Sequence, residues 1–381
     1  MSLTKMELRR LVLKELRASG FRIRSEKIFQ PNLKSKRTIR RLHQSTKQHI
    51  LADKKEWILE NEPKVFDFFA DGSDITPSEI YPKMIMVKDD ETANLFRYAS
   101  FLWSIPISSG FGRRIRYVII DENSGKLIGL LGLTDPVIGI KVRDDWIGWT
   151  KEQKEKKLWH VMDAFVFGAV PPYNYLLGGK LIATCAVSEK VRRDFKKKYA
   201  HKKSIIEGRV RRNPNLALIT TTGAFGESSI LDRLKYNGDP LWQLIGFTEG
   251  FGHFHLNNGL QYRIQEYLEK VNDPIVRRNR FGQGPNWKMR MFRQCFKRIG
   301  FDYNKLGRHG IKRGFYVAPL AENTKEFLRG EESKPKFYPF KLDDMFSFFR
   351  ERYLLPRAQR DLRYTTFRKD DIKLSKVIKR L

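Results

Sequence analysis

Cysteine is scarce in this sequence of 381 residues, which contains only Cys185 and Cys295. The two thiols lie far apart and match no metal-ligand spacing, so the sequence indicates neither a cysteine-based zinc site nor a disulfide scaffold. Long apolar runs are also missing, because no stretch approaches the roughly 18 consecutive apolar residues of a membrane-spanning helix. The charged N-terminus lacks the apolar core of a secretion signal. These absences predict a cytoplasmic protein without a membrane partner.

Acidic residues are the next shortage, with 43 Asp and Glu against 74 Lys and Arg and a formal net charge of +31. Such an excess of positive charge is typical of proteins that bind a polyanion. No segment combines a strong apolar face with a basic face, which favours nucleic acid over an anionic membrane surface as the partner. We favour DNA over RNA, although charge alone does not distinguish the two.

Several catalytic signatures are absent. The sequence has no Gly-x-Ser-x-Gly nucleophile elbow, no Walker motif and no dinucleotide-binding fingerprint. His253 and His255 share one face of an extended stretch, where two imidazoles either bind a metal or simply line a sheet. We predict no metal site there, and the remaining candidates for chemistry lie between residues 143 and 180.

The segment 163–170 is a continuous apolar run after its first residue, which is typical of a strand buried on both faces. Pro171 and Pro172 end the strand because neither can donate a backbone hydrogen bond. Asn174 is the predicted N-cap of the next helix. The candidate cofactor-binding residues lie at the start of that helix: Leu177, Gly178, Gly179 and Lys180. The glycine pair either lets an anion approach the helix N-terminus or lets the helix pack tightly on the sheet.

Asp144 and Asp145 are the candidate catalytic residues. Adjacent carboxylates can hold a metal ion or act as a base, and they are conspicuous in a chain with few acids. The alternative is an acidic loop that positions the next helix, which Thr150 and Gln153 cap. Asp163, at the start of the buried strand, can face the same cleft as the two aspartates.

The predicted elements between residues 81 and 256 are a strand, a helix, a β-hairpin, and then strands that alternate with helices. This order predicts an α/β fold with a mixed central sheet flanked by helices. Thr4 and Glu7 form a capping box that starts a basic helix near the N-terminus. We therefore divide the chain into a basic helical N-terminal domain (1–80), an α/β core (81–256) and a basic, aromatic-rich helical C-terminal region (257–381).

Positive charge is densest between residues 277 and 313, where aromatic residues alternate with Lys and Arg. Basic side chains neutralise phosphates, and exposed aromatic rings stack on unpaired bases. The alternative is that the aromatic rings form a core and the charges are solvated surface. The predicted nucleic-acid-binding residues are Arg277, Arg278, Arg280, Lys288, Arg290, Arg293, Lys297, Arg298, Arg308, Lys312 and Arg313. The segment 357–381 is predicted to be a basic tail that orders only on binding.

The order of elements resembles the GNAT acyltransferase superfamily, in which a strand ends in a bulge and a glycine-rich helix start receives a cofactor pyrophosphate. Residues 170–181 would occupy that motif. The resemblance implies a GNAT-like core and acyl-CoA as a candidate cofactor. The sequence departs from the superfamily pattern because Leu176 and Leu177 precede a single glycine pair, where a Gln or Arg followed by spaced glycines is usual.

A second resemblance is more specific. The sequence contains in order a hairpin, an Asp-x-x-Ile-Gly-Trp block, a Val-Pro elbow and a Leu-Leu-Gly helix, at Leu127–Leu133, Asp144–Trp149, Val170-Pro171 and Leu176–Gly178. This set resembles the family of the Druantia anti-phage protein DruA over roughly residues 80–256. The resemblance implies a bacterial or phage-related defence role and does not imply a particular chemistry.

Three hypotheses follow from these patterns. The first is a nucleic-acid-binding component of an anti-phage defence system, with basic flanks around a GNAT-like core and other defence proteins as partners. The second is an acyl-CoA-dependent acyltransferase that binds the pyrophosphate at Gly178 and Gly179. The third is a metal-dependent nuclease or transposase-like protein that uses Asp144 and Asp145. Whether the chain is an enzyme stays open at this point.

Overall fold

The computed structural model describes residues 3–24, 27–29, 33, 35–107, 112–203, 210, 213–248, 258–278, 285–303 and 310–380. Its strands are β1 Arg22–Arg24, β2 Lys27–Phe29, β3 Pro82–Met86, β4 Arg114–Asp121, β5 Leu127–Thr134, β6 Val161–Ala169, β7 Leu218–Thr222, β8 Lys235–Tyr236, β9 Asp239–Pro240, β10 Gln243–Phe247 and β11 Gly314–Pro319. Its helices are α1 Lys5–Ala18, α2 Lys36–Asp53, α3 Lys55–Val65, α4 Asp90–Ser100, α5 Lys141–Ile147, α6 Lys151–Lys157, α7 Gly178–Val187, α8 Glu189–Tyr199, α9 Ser229–Asp232, α10 Asn258–Lys270, α11 Pro274–Arg278, α12 Pro285–Arg298, α13 Thr324–Arg329, α14 Leu342–Phe349, α15 Leu355–Arg360 and α16 Leu374–Ile378. None of the helices in these ranges is both long and apolar enough to cross a membrane.

Seven strands form one mixed sheet in the order β10-β11-β7-β6-β5-β4-β3. Neighbouring strands are antiparallel except β6 and β7, which run parallel from the pair Val161–Leu218 to the pair Asp163–Thr220. Helices cover both faces of the sheet. The predicted fold class is confirmed: an α/β fold with a mixed central sheet, flanked by helices and by basic helical regions.

Strand β11 is the sheet element that the sequence did not reveal. It comes from the region 257–381, pairs antiparallel with β7 from Phe315–Thr222 to Pro319–Leu218, and separates β7 from β10. The central sheet therefore includes a strand from beyond residue 256. The division of the chain at residues 80 and 256 stays a prediction.

Strands β4 and β5 form the predicted hairpin. The amide of Asp121 donates to the carbonyl of Lys126 at 2.8 Å, and Gly125 takes a φ of +70° in the turn. All residues of β5 are buried, which explains why its sequence is apolar without alternation. Strand β5 also pairs with β6 on its other side, so these two strands lie in the interior of the sheet.

Two capping boxes confirm the sequence reading of helix starts. In α1 the amide of Thr4 donates to Glu7 Oε2 at 2.7 Å, and the amide of Glu7 donates to Thr4 Oγ1 at 3.2 Å. Thr150 and Gln153 form the same reciprocal pair at the start of α6. Each pair satisfies amides that the first helical turn leaves without a backbone partner.

The predicted N-cap of α7 was wrong. Asn174 lies in a turn after β6, where its amide donates to the carbonyl of Val170 at 3.1 Å, and α7 begins only at Gly178. Leu177 precedes the helix with a φ of +59°, in the left-handed region. The tight turn between the strand and the helix therefore uses the residues that the sequence pattern assigned to the first helical turn.

Two helical layers cover the sheet. Helices α7, α8 and α14 pack on one face through buried residues such as Ile182, Phe195 and Phe346. Helices α3, α4 and α16 cover the β4–β6 part of the other face. Helices α5 and α13 cover the β6–β7–β11 part. Strand β6 is therefore covered by helices on both faces. The candidate sites described below lie next to this strand in the sequence.

A separate apolar cluster brings N-terminal helices together with helices from the C-terminal region. Helices α1, α2, α10 and α12 pack together around buried residues that include Leu8, Leu42, Leu268 and Phe296. We call these four helices the helical module. The N-terminal helices thus divide between two cores, because α3 packs on α4 and the sheet instead.

The C-terminal segment corrects the prediction of a tail that orders only on binding. The amide of Leu374 donates to Tyr98 Oη at 3.2 Å, and the amide of Ser375 donates to Glu62 Oε2 at 3.0 Å. Leu374 and Ile378 are buried against α3 and α4. The sequence obscured this docking because only a few apolar residues, separated by charges, carry it.

Candidate functional site

A fully buried arginine, Arg143, directly precedes the Asp-x-x-Ile-Gly-Trp block. Arg143 donates to the carbonyls of Val137 and Ile138 at 2.8 and 2.9 Å. It also donates to Asp144 Oδ1 from Nε at 2.9 Å and from Nη2 at 2.6 Å. Lys154 Nζ lies 2.9 Å from Asp144 Oδ2. Asp144 is therefore held between two cations, and its charge compensates that of the buried guanidinium.

Asp145 points away from this network. Its carboxylate pairs with Lys141 Nζ at 2.7 Å, and both side chains are largely exposed. Successive helical residues differ by about 100° around the axis, which explains why the two aspartates of α5 diverge. In the described part of the chain, no group of three His, Cys, Asp or Glu residues is arranged to hold a metal ion. The structure does not bring the two carboxylates together, and their catalytic role stays a prediction.

The remainder of the block fixes α5 in place. Ile147 is buried, and Gly148 ends α5 with a φ of +79°. Trp149 Nε1 donates to the carbonyl of Leu328 at 2.6 Å, and the Arg143 guanidinium lies 5.6 Å from the centre of the indole. The block therefore has a structural explanation that does not require a ligand: it anchors α5 to the C-terminal end of α13.

The charge of Arg143 also acts on Asp163. Thr220 Oγ1 donates to Asp163 Oδ1 at 2.7 Å across the parallel β6–β7 pair. Burial raises the pKa of Asp163 to about 6, while the Thr220 hydrogen bond and the Arg143 charge oppose the rise. Of the three aspartates singled out from the sequence, Asp144 binds Arg143 directly, Asp163 interacts only with its charge, and Asp145 pairs with Lys141. A carboxyl group with such a pKa can exchange a proton near neutral pH.

The glycine pair at the start of α7 is explained by packing. A Cβ on Gly178 would lie 2.6 Å from Ala169 Cβ and 2.7 Å from the carbonyl oxygen of Tyr173. A Cβ on Gly179 would lie 3.1 Å from Ile230 Cδ1, the end of a flexible side chain. Gly178 is therefore required where the helix meets the preceding strand, and Ile230 lies over Gly179.

Lys180 is already engaged within the protein. Its Nζ donates to the carbonyl of Arg233 at 2.8 Å and lies 4.1 Å from the centre of the Tyr353 ring. Burial, followed by the charges of Arg233 and Arg352, lowers the pKa of Lys180. In this arrangement neither the glycines nor the Lys180 ammonium group presents an open cradle for a pyrophosphate, and we derive no step through acyl-CoA. Cofactor binding by residues 177–180 stays a prediction.

Helix α12 has one apolar face and one basic face. Met291, Phe292, Cys295 and Phe296 are buried in the helical module, as expected for core aromatics. The opposite face exposes Arg290, Arg293 and Lys297, which we call the α12 face. Among the described residues none of the three has a carboxylate partner, and Arg293 stacks on Tyr303 with 5.0 Å between guanidinium and ring centre.

The other predicted nucleic-acid-binding residues differ in their surroundings. Arg298 Nε binds Asp273 Oδ2 at 2.6 Å, next to a hydrogen bond from Gln294, so it has a structural role. Lys312 is exposed, whereas burial lowers the pKa of Arg313. Arg277 and Arg278 end α11 and Lys288 lies in α12. Arg280, Arg308, His253 and His255 lie outside the described residues. The contact of these residues with nucleic acid stays a prediction in every case.

Arg143 is the residue that the sequence reading passed over. From the sequence it is only the first residue of the region 143–180, since a single arginine next to two aspartates looks like part of a surface ion pair. The signal that could have revealed it is the spacing: Arg143 follows an apolar loop and precedes Ile147 by one helical turn, which places it on the inner side of α5.

Comparison with known proteins assigns the chain to a family. The family model described as Druantia protein DruA matches residues 33–330. The chain is 35% identical over 373 residues to Druantia protein DruA of Escherichia coli strain UMEA 4076-1, covering 97% of this chain and 92% of the relative. The chain belongs to the DruA family. This assignment confirms the resemblance carried by the hairpin, the Ile-Gly-Trp block and the elbow, and it places the protein in the Druantia defence system.

No solved structure matches the chain. The GNAT-like character of the DruA core therefore stays a prediction, even though the mixed sheet itself is described. The DruA match extends well beyond the core on both sides, from within the helical module to α13.

Proposed function

We propose that this DruA-family protein is a nucleic-acid-binding component of the Druantia system and that the α12 face contacts phosphates. The observation that supports the proposal is the amphipathic build of α12. Its apolar side is fixed in the helical module, so Arg290, Arg293 and Lys297 project from a rigid support without acidic partners in the described structure. Cations that are not paired internally are available to neutralise phosphates.

A second basic surface of the same module supports this interpretation. The first turns of α2 expose Lys36, Arg37, Arg40 and Arg41. The Arg40 guanidinium lies 4.9 Å from the centre of the Phe225 ring, which holds one of these cations against the α/β core. A helical module with exposed cations on two of its helices is suited to follow a phosphate backbone.

The proposal is tested by a salt series of binding to single-stranded DNA, duplex DNA and RNA. The α12-face variant Arg290→Ala/Arg293→Ala/Lys297→Ala should bind at least tenfold more weakly at physiological salt. Its slope of log affinity against log salt should fall by about two to three, since each lost phosphate contact removes about 0.9 from the slope on duplex DNA. We expect DNA to bind more tightly than RNA.

A matched control removes three cations that already have acidic partners. Lys64 pairs with Glu60 at 2.9 Å, Lys141 pairs with Asp145 at 2.7 Å, and Lys336 lies 3.9 Å from Glu332. The variant Lys64→Ala/Lys141→Ala/Lys336→Ala, which we call the paired-lysine control, has the same net charge as the α12-face variant. Equal loss of affinity in both variants would mean that only net charge matters, and no binding by the wild type would reject the proposal. Other Druantia proteins as partners, and a cytoplasmic location, are further parts of the proposal.

A further inference from the structure

A second group of cations lies on the α/β core and includes none of the residues predicted from the sequence to bind nucleic acid. It comprises Lys88 after β3, Arg114 and Arg116 in β4, Lys198 in the last turn of α8, and Lys202 just after that helix. We call these five residues the core basic cluster. Lys88, Arg114 and Lys202 are exposed, while Arg116 and Lys198 are half-buried.

Backbone contacts hold the five residues together. Lys198 Nζ donates to the carbonyl of Arg114 at 2.7 Å, and Tyr199 Oη donates to the same carbonyl at 3.0 Å. The amide of Val87 donates to the carbonyl of Arg116 at 2.8 Å, which places Lys88 beside β4. Lys202 follows Lys198 by about one turn, since its amide donates to the carbonyl of Tyr199. Three separate elements thus bring their positive charges to one place.

Four of the five cations have no acidic partner in the described structure. Lys88, Arg116, Lys198 and Lys202 form no ion pair with a described carboxylate. Asp89, the residue after Lys88, accepts hydrogen bonds from the amide and Oγ1 of Thr92 at 2.8 and 2.7 Å and so faces the start of α4. Asp194, one turn before Lys198, accepts instead from Tyr117 Oη at 2.9 Å and pairs with Lys190 at 3.0 Å. Burial, and then the charges of Lys202, Arg116 and Lys88, lower the pKa of Lys198.

Like charges held this close destabilise the folded state unless an anion is bound between them. Phosphodiester groups provide regularly spaced anions that can contact several of these side chains at once, and their negative charges would restore the pKa of Lys198. We infer that the core basic cluster is a second contact surface for the phosphate backbone of a nucleic acid. The inference rests on the proposed function for its ligand and depends on different residues for its test.

The test variant is Lys88→Gln/Lys198→Gln/Lys202→Gln, compared with the α12-face variant and with the paired-lysine control described above. We expect affinity for duplex DNA to fall at least tenfold at physiological salt and the salt slope to fall by about two to three. Because Lys198 also holds the carbonyl of Arg114, the exposed pair Lys88→Gln/Lys202→Gln serves as a second variant, with a slope reduced by about two. The paired-lysine control should leave the slope unchanged.

The outcomes separate the two ideas. Wild-type affinity and slope in both cluster variants, with weaker binding by the α12-face variant, would overturn the core cluster and leave the proposed function intact. Weaker binding by the cluster variants alone would support the cluster and reject the α12 face. The last measurement is the binding of poly-glutamate to the same variants. If it binds through Lys88 and Lys202 while DNA does not, the cluster recognises an acidic protein and the inference is wrong.

Discussion

At the scale of single residues, substitutions of Gly178 and Gly179 test whether the glycine pair serves helix packing. Gly178→Ala forces a methyl group into contact with Ala169 and the backbone of Tyr173. Overpacking of this kind costs about 1–3 kcal/mol. Gly179→Ala meets only the end of Ile230, and alanine favours a helix over glycine by about 1 kcal/mol. We therefore expect the free energy of unfolding to fall in the first variant and to stay level or rise in the second.

Urea denaturation of both variants measures this difference, with wild-type protein as the reference. If Gly179→Ala is as destabilising as Gly178→Ala, the packing explanation of the pair is insufficient.

A thermal shift with acetyl-CoA tests the separate prediction that this helix start binds a cofactor. An upward shift for wild type that Gly179→Asp abolishes would favour pyrophosphate binding at this helix start.

The aspartates show what a sequence can and cannot reveal about single residues. Asp144 binds the buried Arg143 directly, and the charge of Arg143 also acts on Asp163. That Asp163 faces the same cleft as Asp144 and Asp145 stays a prediction. Apolar patterns reveal buried strands and helix faces but do not mark a buried charged residue, so an arginine that donates to two carbonyls and a carboxylate looks like any surface cation. The same limit explains Arg298, which seemed available for phosphates and is bound to Asp273.

At the scale of elements, helix α16 is the part of the chain whose behaviour differs most from the sequence reading. Leu374→Ala should lower the free energy of unfolding by about 2–5 kcal/mol, because the side chain is buried against α3 and α4. Val377→Ala on the same helix is the matched control, since that side chain is 39% exposed and should change stability far less. Chemical denaturation of both variants gives the comparison.

If Leu374→Ala and Val377→Ala are equally mild, α16 does not contribute to the folded core and the segment behaves as the tail that the sequence predicted. A supporting readout is the cleavage of the C-terminal segment by a protease. Leu374→Ala should accelerate cleavage there, because its loss weakens the contact that the amides of Leu374 and Ser375 make with Tyr98 and Glu62.

Locally encoded elements could be predicted well and long-range pairings could not. The capping boxes at Thr4 and Thr150 and the hairpin turn at Gly125 depend on a few adjacent residues, so their sequences are sufficient. Strand β11 joins the sheet between β7 and β10, about ninety residues after β7, and nothing in the local sequence of either strand specifies that partner. The resemblance to the DruA family could be recognised for the same reason as the capping boxes, because each of its motifs is a short contiguous stretch of sequence.

At the scale of the whole molecule, the net charge of +31 acts on stability as well as on binding. Folding brings the positive charges closer together, and ions in solution screen their repulsion over about 10 Å at 0.1 M salt. The α12 face and the core basic cluster concentrate cations that have few acidic neighbours in the described structure. Salt should therefore strengthen the fold and weaken nucleic acid binding, two effects of opposite sign with a common electrostatic origin.

We expect the unfolding temperature of nucleic-acid-free protein to rise by several degrees when sodium chloride is increased from low to moderate concentration. Differential scanning fluorimetry of samples checked by ultraviolet absorbance for bound nucleic acid measures the effect. The variant Lys88→Gln/Lys202→Gln should start from a higher unfolding temperature at low salt and rise less, because two of the repelling charges are gone. The paired-lysine control should not gain stability in this way, since its three lysines face carboxylates. A fall in unfolding temperature with salt would mean that attractive ion pairs outweigh repulsion in this protein, and the electrostatic argument for a polyanionic partner would lose its main support.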